Sequence, residues 1–402
     1  MKIAVVGAGI VGVSTAYELA SDGHEVVVYD RRSAVAEEAS FACGSLLGPG
    51  YVEPALAPID VGLRLSAHEM AWLWQRRKLL VDPSSSAHAR LMPLALYSRS
   101  RRDSLAQTLP LACDQRQGLM LLFRTAQDEA LAQPRLQVLR NAGVVAKPLV
   151  PAVARKLELA LNTDTALHSA AYLQEDDTGN CRQFALLLKS AAQAKGVRFH
   201  MGTTVHALQR QAPTELRLAN DPTPHRYDAV VVCAGAATVT LLKPLGLRLP
   251  LVGVHGWSIS AHIREPLNTP HSAVWDMRHR VSIARIGHRV RVAGGAEMGM
   301  GDHAADSTAL QTLYRVLHDW FPGAARIDSD VQTWRAEQAT VLDGLPLLGA
   351  SGVPGVWLNL GHGASGWALA SGTARVVADC VRKRAAEVDL TGLGADRLRT
   401  PR

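Results

Sequence analysis

The 402-residue chain has few aromatic residues (5%) and five cysteines, and these scarcities exclude several protein classes. The cysteines are far apart, odd in number and without C-x-x-C spacing: Cys43, Cys113, Cys181, Cys233 and Cys380. They therefore predict no disulfide framework and no metal site, and they favour a reducing interior. With 48% hydrophobic and 20% charged residues, the chain is also unlike disordered, collagen-like or coiled-coil proteins.

Long apolar runs and blocks of like charge are equally scarce. No stretch approaches the roughly 18 apolar residues that span a bilayer. The apolar start at 3–6 is interrupted by glycines and lacks the features of an export signal. The net charge of +7 is spread along the chain, with no basic block beyond Arg76–Lys78, so we expect no nucleic-acid binding. These features predict a cytoplasmic protein, at most peripheral to a membrane.

The order of the predicted elements indicates an α/β fold. Residues 2–6 and 26–29 are β-branched strands that flank a helix at 13–20, which makes a βαβ unit. Further along, the pattern predicts an irregular loop at 33–60, mostly helices at 61–160, antiparallel strands at 252–260, 281–286 and 289–294, and strand, glycine turn and helix at 355–384. A discontinuous nucleotide-binding domain interleaved with a mixed-sheet substrate domain fits this order.

A dinucleotide fingerprint connects the first strand to the first helix. Gly7 to Gly12 read G-x-G-x-x-G, in which the first glycine permits the tight turn and the second lets a pyrophosphate approach the backbone. The third lets the helix pack against the strand, and the helix start offers N–H groups to the phosphates. Asp30 closes the second strand, where its carboxylate can bind ribose hydroxyls and disfavours NADP.

A second glycine-rich turn, at 361–366, favours FAD over NAD. Reduced flavin is anionic, and a second helix N-terminus aimed at it stabilises that charge. An NAD dehydrogenase has no evident need for such a turn. A plain strand–turn–helix connection is the alternative interpretation.

Several segments resemble the FAD-dependent D-amino-acid dehydrogenases of the small-subunit type, within the D-amino-acid oxidase and glycine/sarcosine oxidase superfamily. They run from end to end: Val6–Tyr17, Gly23–Val26, Gly48–Tyr51, Gln117–Gly118, Leu122–Thr125, Asp177–Cys181, Asp343–Pro346, Leu358–Gly363 and Gly366–Trp367. The resemblance implies a Rossmann-like, p-hydroxybenzoate-hydroxylase-like FAD domain, with noncovalent FAD. We expect that domain at 1–50, 151–245 and 335–390, a substrate domain at 51–150 and 246–334, and a tail at 391–402.

The resemblance also implies a reaction. A hydride passes from the amine-bearing carbon to flavin N5, and the resulting imine hydrolyses to a 2-oxo acid and ammonia. The electrons then pass to a quinone or the respiratory chain, which implies a peripheral location on the inner membrane.

Matching positions carry the family's FAD contacts to this chain. They are Gly7, Ala8, Gly9, Ile10, Val11 and Gly12 at the pyrophosphate, Asp30 and Arg31 at the ribose, Ser40 and Gly44 in the following loop, Val205 beside adenine, Gly235, and Gly363, Ala364, Ser365 and Gly366 around the flavin. Tyr51 would belong to a mobile lid over the substrate, or would be an ordinary loop anchor.

Two positions depart from the family pattern. Gln338 replaces the arginine that clamps the substrate carboxylate, which leaves the site without that charge. Either Arg335 compensates, with a solvated surface position as its alternative, or the substrate is not an ordinary amino acid. His255 stands where relatives often have lysine, and it is a candidate base or a structural histidine.

Three hypotheses follow from these observations. The leading one is oxidative deamination of a D-amino acid or a related secondary amine or imino acid. The second is an oxygen-using amine, glycine or sarcosine-type oxidase. The third is a flavin-binding subunit with an altered substrate or no turnover, and Gln338 motivates it.

Overall fold

The computed structural model describes residues 1–54, 58–79, 85–209, 214–300 and 307–398. Its helices are α1 (Ile10–Ser21), α2 (Ala67–Leu79), α3 (Ser85–Thr108), α4 (Ala126–Asn141), α5 (Pro151–Leu157), α6 (Cys181–Ala194), α7 (Thr238–Leu242), α8 (Thr308–Trp320) and α9 (Gly366–Val381). Its strands are β1 (Lys2–Val6), β2 (Glu25–Tyr29), β3 (Asp60–Val61), β4 (Arg116–Phe123), β5 (Lys147–Leu149), β6 (Ser169–Thr178), β7 (Arg198–His200), β8 (Val205–Gln209), β9 (Thr214–Leu218), β10 (Asp221–Tyr227), β11 (Ala229–Val232), β12 (Leu251–His262), β13 (Ala273–Asp276), β14 (Val281–Ile286), β15 (Arg289–Met298), β16 (Gln332–Val341), β17 (Leu347–Ala350) and β18 (Val356–Leu360).

A six-stranded sheet in the order β17-β18-β11-β1-β2-β7 forms the first layer. All neighbouring strands in it are parallel except β17, which runs antiparallel to β18. Strands β1 and β2 are buried on both faces, which explains why they read as near-continuous runs of Val, Ile and Ala. Helices α1 and α9 pack side by side on one face, and a three-stranded sheet (β10-β9-β8) adds apolar residues to the other.

A nine-stranded mixed sheet forms the second layer, in the order β16-β12-β15-β14-β13-β4-β6-β5, with β3 beside β15. The antiparallel strands predicted at 252–260, 281–286 and 289–294 are its β12, β14 and β15. Its outer face packs against the amphipathic helix α8, where Trp320 is fully buried. Trp275 and Ala284 lie instead in the same apolar cluster as α1 and α9. One core therefore joins the two layers.

The predicted domain ranges can be compared with sheet membership. Range 151–245 supplies β6 to the nine-stranded sheet and β7 and β11 to the six-stranded one. Range 335–390 likewise supplies most of β16 to the former and β17 and β18 to the latter. In the predicted tail, Leu393 is buried and its main-chain oxygen accepts a hydrogen bond from Leu348. The boundaries themselves stay a prediction.

The helices within the described ranges include none that is both long and apolar enough to cross a lipid bilayer.

Candidate active site

Two helices begin at the same edge of the six-stranded sheet. Strand β1 ends at Val6 and is followed by α1, and strand β18 ends at Leu360 and is followed by α9. Both strands run parallel to β11, which lies between them. The Asn359 side-chain amide donates to Thr15 Oγ1 of α1 at 2.9 Å. The positive ends of two helix dipoles therefore meet at one edge, which is where doubly wound sheets bind nucleotides.

The glycines of the first turn are required by close packing. Gly7 has φ of +107°, and a Cβ atom there would collide with the Cys233 carbonyl group. A Cβ atom on Gly12 would collide with the Gly7 oxygen. At Gly9 the nearest atom to such a Cβ would be Ser40 Oγ, at 3.3 Å, so this position is not closed by the protein's own backbone. The turn thus leaves a bare backbone for a phosphate to approach.

Asp30 and Ser40 close the first turn from the side. Asp30 Oδ2 accepts the Ala8 N–H at 2.6 Å, and Ser40 Oγ accepts the Ile10 N–H at 3.1 Å. Arg31 pairs instead with Glu38 at 2.9 Å.

Three other predicted FAD contacts lie nearby. Val205 begins β8 two residues after Thr203, whose N–H donates to the Asp30 main-chain oxygen at 2.7 Å. Gly235 follows the end of β11 and has φ of +56°. Val11 lies in the first turn of α1.

A cleft of about 380 Å³ lies between the two layers. Residues from both sequence-predicted groups line it, including Gly44, Tyr51, Gln338 and Ala364. The cleft therefore brings two predicted cofactor residues, Gly44 and Ala364, close to the predicted substrate residues Tyr51 and Gln338. Thr340 also lines the cleft, and its strand bridges to His362 in the second glycine turn.

Strand alternation separates the four predicted catalytic residues. On the paired strands β12 and β16, Val254 lies opposite Gln338 and Gly256 lies opposite Ala336, and these two pairs line the cleft. His255 and Arg335 fall on the alternate positions of β12 and β16, and neither lines the cleft. The Arg335 guanidinium lies 5.8 Å from the centre of the Trp257 ring. The structure therefore brings Tyr51 and Gln338 together without His255 or Arg335, and the catalytic roles of all four stay predictions.

The Tyr51 side of the cleft is built from aromatic rings and ion pairs. The Tyr51 and Trp275 ring centres are 5.0 Å apart, and the Arg135 guanidinium lies 4.4 Å from the Trp275 ring centre. Burial raises the pKa of Tyr51 to about 12, so its hydroxyl stays protonated. Glu53 forms ion pairs with both Arg135 and Arg280.

The glycine-rich turn at 361–366 is hydrogen-bonded to the loop that contains Glu53. Ser365 Oγ lies 3.2 Å from the Glu53 main-chain oxygen and 3.3 Å from its nitrogen. In the same turn, burial lowers the pKa of His362 to about 4, so its ring is neutral at pH 7. The loop around Glu53 and the start of α9 are therefore held together.

Sequence reasoning missed Glu53, Arg135, His279 and Arg280. These residues come from three segments that are far apart in the chain, and the resemblance assigns none of them a role. One local feature of the sequence could have indicated these residues. The run Arg278-His279-Arg280 lies between two strands, and a short turn there does not require three basic residues.

The residues at the joined helix starts fit a flavin dinucleotide. The bare turn at Gly9 suits a pyrophosphate and Asp30 suits a ribose. Arg291, in the sheet that faces α1 and α9, has buried Nε and Nη1 atoms that find no hydrogen-bond partner among the described residues. A buried guanidinium without such partners is costly, and an electron-rich ligand would satisfy it.

Comparison with known proteins identifies the family. The family described as FAD dependent oxidoreductase matches residues 2–380. The chain belongs to this family. It is therefore an FAD-dependent oxidoreductase, as the fingerprint and the second turn predicted, and FAD is its cofactor.

Relatives of this FAD-dependent oxidoreductase match it over its whole length. A D-amino acid dehydrogenase of Cereibacter sphaeroides is 35% identical over 425 residues, covering 100% of this chain and 96% of that protein. Another, of Rhizorhabdus wittichii, is 33% identical over 421 residues, covering 99% of this chain and 100% of that protein.

Solved structures share the fold. Glycine oxidase from Geobacillus kaustophilus aligns with a TM-score of 0.79 and 22% identity, over 98% of each chain. Iminodiacetate oxidase from Chelativorans sp. BNC1 aligns with a TM-score of 0.76 and 21% identity, also over 98% of each. These likenesses confirm the predicted fold class, a Rossmann-like FAD domain with a mixed-sheet substrate domain.

Proposed function

We propose that the enzyme catalyses FAD-dependent oxidative deamination of a D-amino acid, or of a related secondary amine or imino acid. Relatives of matching length with 31–35% identity carry the name D-amino acid dehydrogenase. The observation that carries the proposal is the cleft, because it joins the loop at Gly44, the α9 start at Ala364 and the polar side chain of Gln338. A small polar molecule in this space would contact both the flavin-binding turn and the substrate sheet.

The chemistry that FAD supplies is acceptance of a hydride from the amine-bearing carbon, which leaves an imine that hydrolyses in water. The residues proposed to hold it are the sixteen cofactor positions predicted above, with Gly363, Ala364, Ser365 and Gly366 at the flavin. The N-terminal dipole of α9 favours negative charge at that position.

The cleft walls would position the substrate. Tyr51 and Trp275 offer an aromatic surface for the substrate side chain. Gln338 offers an amide from strand β16. The protonated hydroxyl of Tyr51 can donate a hydrogen bond as well as pack. Water exclusion by these rings would protect the imine until product release.

His279 is our candidate for accepting the ammonium proton. It lines the cleft, whereas His255 does not. Burial lowers the pKa of His279 below its ordinary value, so the imidazole is neutral at pH 7 and can take a proton. This assignment replaces the one that the sequence suggested for His255.

Anaerobic flavin reduction tests the proposed function. The purified holoenzyme would be mixed with a panel of D-amino acids, their L-enantiomers, sarcosine and D-proline while flavin absorbance is followed. Bleaching by D-amino acids and not by their enantiomers is the expected result. Absence of bleaching by every compound would contradict the proposal and favour a flavin-binding subunit without turnover.

We propose a quinone-type acceptor for the electrons, at the inner-membrane surface. The proposal of a membrane surface is supported by four exposed apolar side chains within residues 61–74, since such side chains can contact lipid. They are Val61 (48%), Leu63 (104%), Met70 (53%) and Trp74 (63%). Peroxide yield and reduction of a water-soluble quinone would be measured side by side. Quinone reduction should exceed peroxide formation, and the reverse would favour an oxygen-using oxidase.

A further inference from the structure

We propose that Arg280 binds the substrate carboxylate, so that the anion-binding position lies at the turn between β13 and β14 and not at Gln338 on β16. This inference rests on the proposed function, because it names the group that recognises the acid. It follows from the position of Arg280, from the charges around it and from the missing charge at Gln338.

Arg280 is placed at the cleft by a constrained turn. It lies between β13 and β14, where its φ of +53° falls in the left-handed region that non-glycine residues seldom adopt. Such conformations persist where the surrounding structure enforces them, and they concentrate at ligand sites. The Arg280 side chain remains 36% exposed and lines the cleft.

The charges around Arg280 leave a positive excess. Glu53 is shared between Arg280 and Arg135, so one carboxylate faces two guanidinium groups. Asp176, the next carboxyl group near Arg135, does not line the cleft, and burial raises its pKa to about 7. At neutral pH the cluster therefore retains part of one positive charge. A substrate carboxylate would neutralise this remaining positive charge.

Two other charged side chains on the cleft wall, Arg278 and Asp60, contribute little to this balance. Arg278 donates to Asp128 Oδ1 at 3.1 Å and to Thr125 Oγ1 at 3.1 Å, so its charge is already paired. Asp60 lines the cleft but is solvent-exposed, where its charge is screened.

Glu53 cannot readily move to neutralise Arg280 alone, because its main chain is held by Ser365 at 3.2 and 3.3 Å. Gln338, on β16 of the same sheet, supplies an amide without charge. An amino acid in the cleft would place its carboxylate on Arg280, and its α-carbon would then lie toward Ala364 and the flavin turn. The sequence offered Arg335 as one possible compensating charge, with a solvated surface position as its alternative. Arg335 occupies an alternate position of β16 and does not line the cleft.

The test compares an acid with its amide in anaerobic flavin reduction. The D-amino acid that bleaches the wild-type holoenzyme fastest and its carboxamide would each be titrated to give an apparent Kd and a limiting rate. For Arg280→Met we expect the acid's Kd to rise at least about 30-fold, as loss of a charge-assisted contact does. The amide's Kd should change less than about threefold. Arg280→Lys should fall between these values.

Matched variants separate this role from a structural one. Arg278→Met removes a neighbouring, already paired guanidinium and should leave both Kd values within about threefold. Adding Gln338→Arg to Arg280→Met should recover at least about tenfold of the lost acid affinity, because it restores a guanidinium to the same cleft.

An equal loss for acid and amide, or no loss for either, would overturn the inference while leaving the proposed function intact. If no D-amino acid bleaches the wild-type flavin, the proposed function fails and this inference fails with it. Flavin content and unfolding temperature of each variant would be measured first. If Arg280→Met does not fold, Arg280→Lys decides the question, because it retains a cation at the cluster. A rise in Kd for the acid alone supports the inference, and equal or unchanged Kd values for acid and amide overturn it.

Discussion

The Asn359 side-chain amide donates a hydrogen bond to the Thr15 hydroxyl across 2.9 Å, and this bond links residues 344 positions apart. Asn359 immediately precedes the end of β18, and Thr15 lies in the second turn of α1. The bond therefore joins the two segments that bring the two glycine turns, proposed above to bind FAD, to one edge of the sheet. Both side chains are buried, so losing one partner leaves a polar group unsatisfied.

Thr15→Val should destabilise the protein by about 1–3 kcal/mol and weaken FAD retention, because the Asn359 amide loses its acceptor. Denaturant unfolding and FAD release on dilution would measure the two effects. Thr15→Ser keeps the hydroxyl and is the matched control. If Thr15→Val is no less stable and retains FAD no less well than Thr15→Ser, the hydrogen bond does not carry the effect.

Gly9→Ala and Gly12→Ala should separate cofactor binding from folding. A Cβ atom at Gly12 would collide with the Gly7 oxygen, so this change should destabilise the fold itself. A Cβ atom at Gly9 meets only Ser40 Oγ at 3.3 Å, so the apoprotein should fold, while the pyrophosphate loses its close approach. Circular dichroism and bound-flavin absorbance distinguish the outcomes. A Gly9→Ala protein with full FAD content would contradict this account.

Glu18 is the centre of a buried ion-pair network on α1. It accepts from Arg101 at 2.7 Å and from Arg375 at 2.9 Å, and it is 1% exposed. Glu18→Gln should therefore cost about 3–5 kcal/mol of the free energy of unfolding, since Arg101 loses a carboxylate partner and Arg375 keeps only Asp22 and Asp379.

The control for Glu18 is Glu25→Gln. Glu25 pairs with Arg198, but its side chain is 53% exposed, so its loss should cost no more than about 1 kcal/mol. The same denaturant titrations would measure both variants. A small effect at Glu18 would mean that the network is replaceable by water or by a rearranged partner.

The pH dependence of flavin reduction should identify the proton acceptor. Burial lowers the pKa of His279 below 6.5, and only the neutral ring accepts a proton. The reduction rate should therefore hold as pH falls to 6.5 and decline below it, as the ring becomes protonated. His279→Gln should remove this acid limb and lower the limiting rate about 10²–10⁴-fold. His255→Gln is the comparison, and an acid limb lost there instead would restore His255 as the base.

Local patterns predicted the FAD domain well. The strands and helix at the N-terminus, the fingerprint and the final strand–turn–helix are each encoded within fewer than about thirty consecutive residues. The turn at 361–366 was recognisable because its glycines are visible in the sequence, and its contact with FAD stays a prediction. The pairing of β18 with β11 depends on distant segments and left no local signal.

The substrate side was less predictable, because strand register decides which residues face the cleft. His255 and Arg335 were candidates because of their places in segments that resemble the family, and their roles stay predictions. In the structure, alternate positions on β12 and β16 place Val254 and Gln338 at the cleft. A shift of one residue in register would have reversed this arrangement. The grouping of Glu53, Arg135 and Arg280 required three segments to meet, which no spacing in the sequence expresses.

The shared apolar cluster beneath the two sheets limits how substrate can enter. Trp275 of the mixed sheet and Ala368 of α9 belong to the same buried group, so swinging the sheets apart would expose that whole surface to water. Substrate should therefore enter and product leave while both halves of the molecule remain docked throughout turnover. The two sheets should likewise unfold together, in a single cooperative transition.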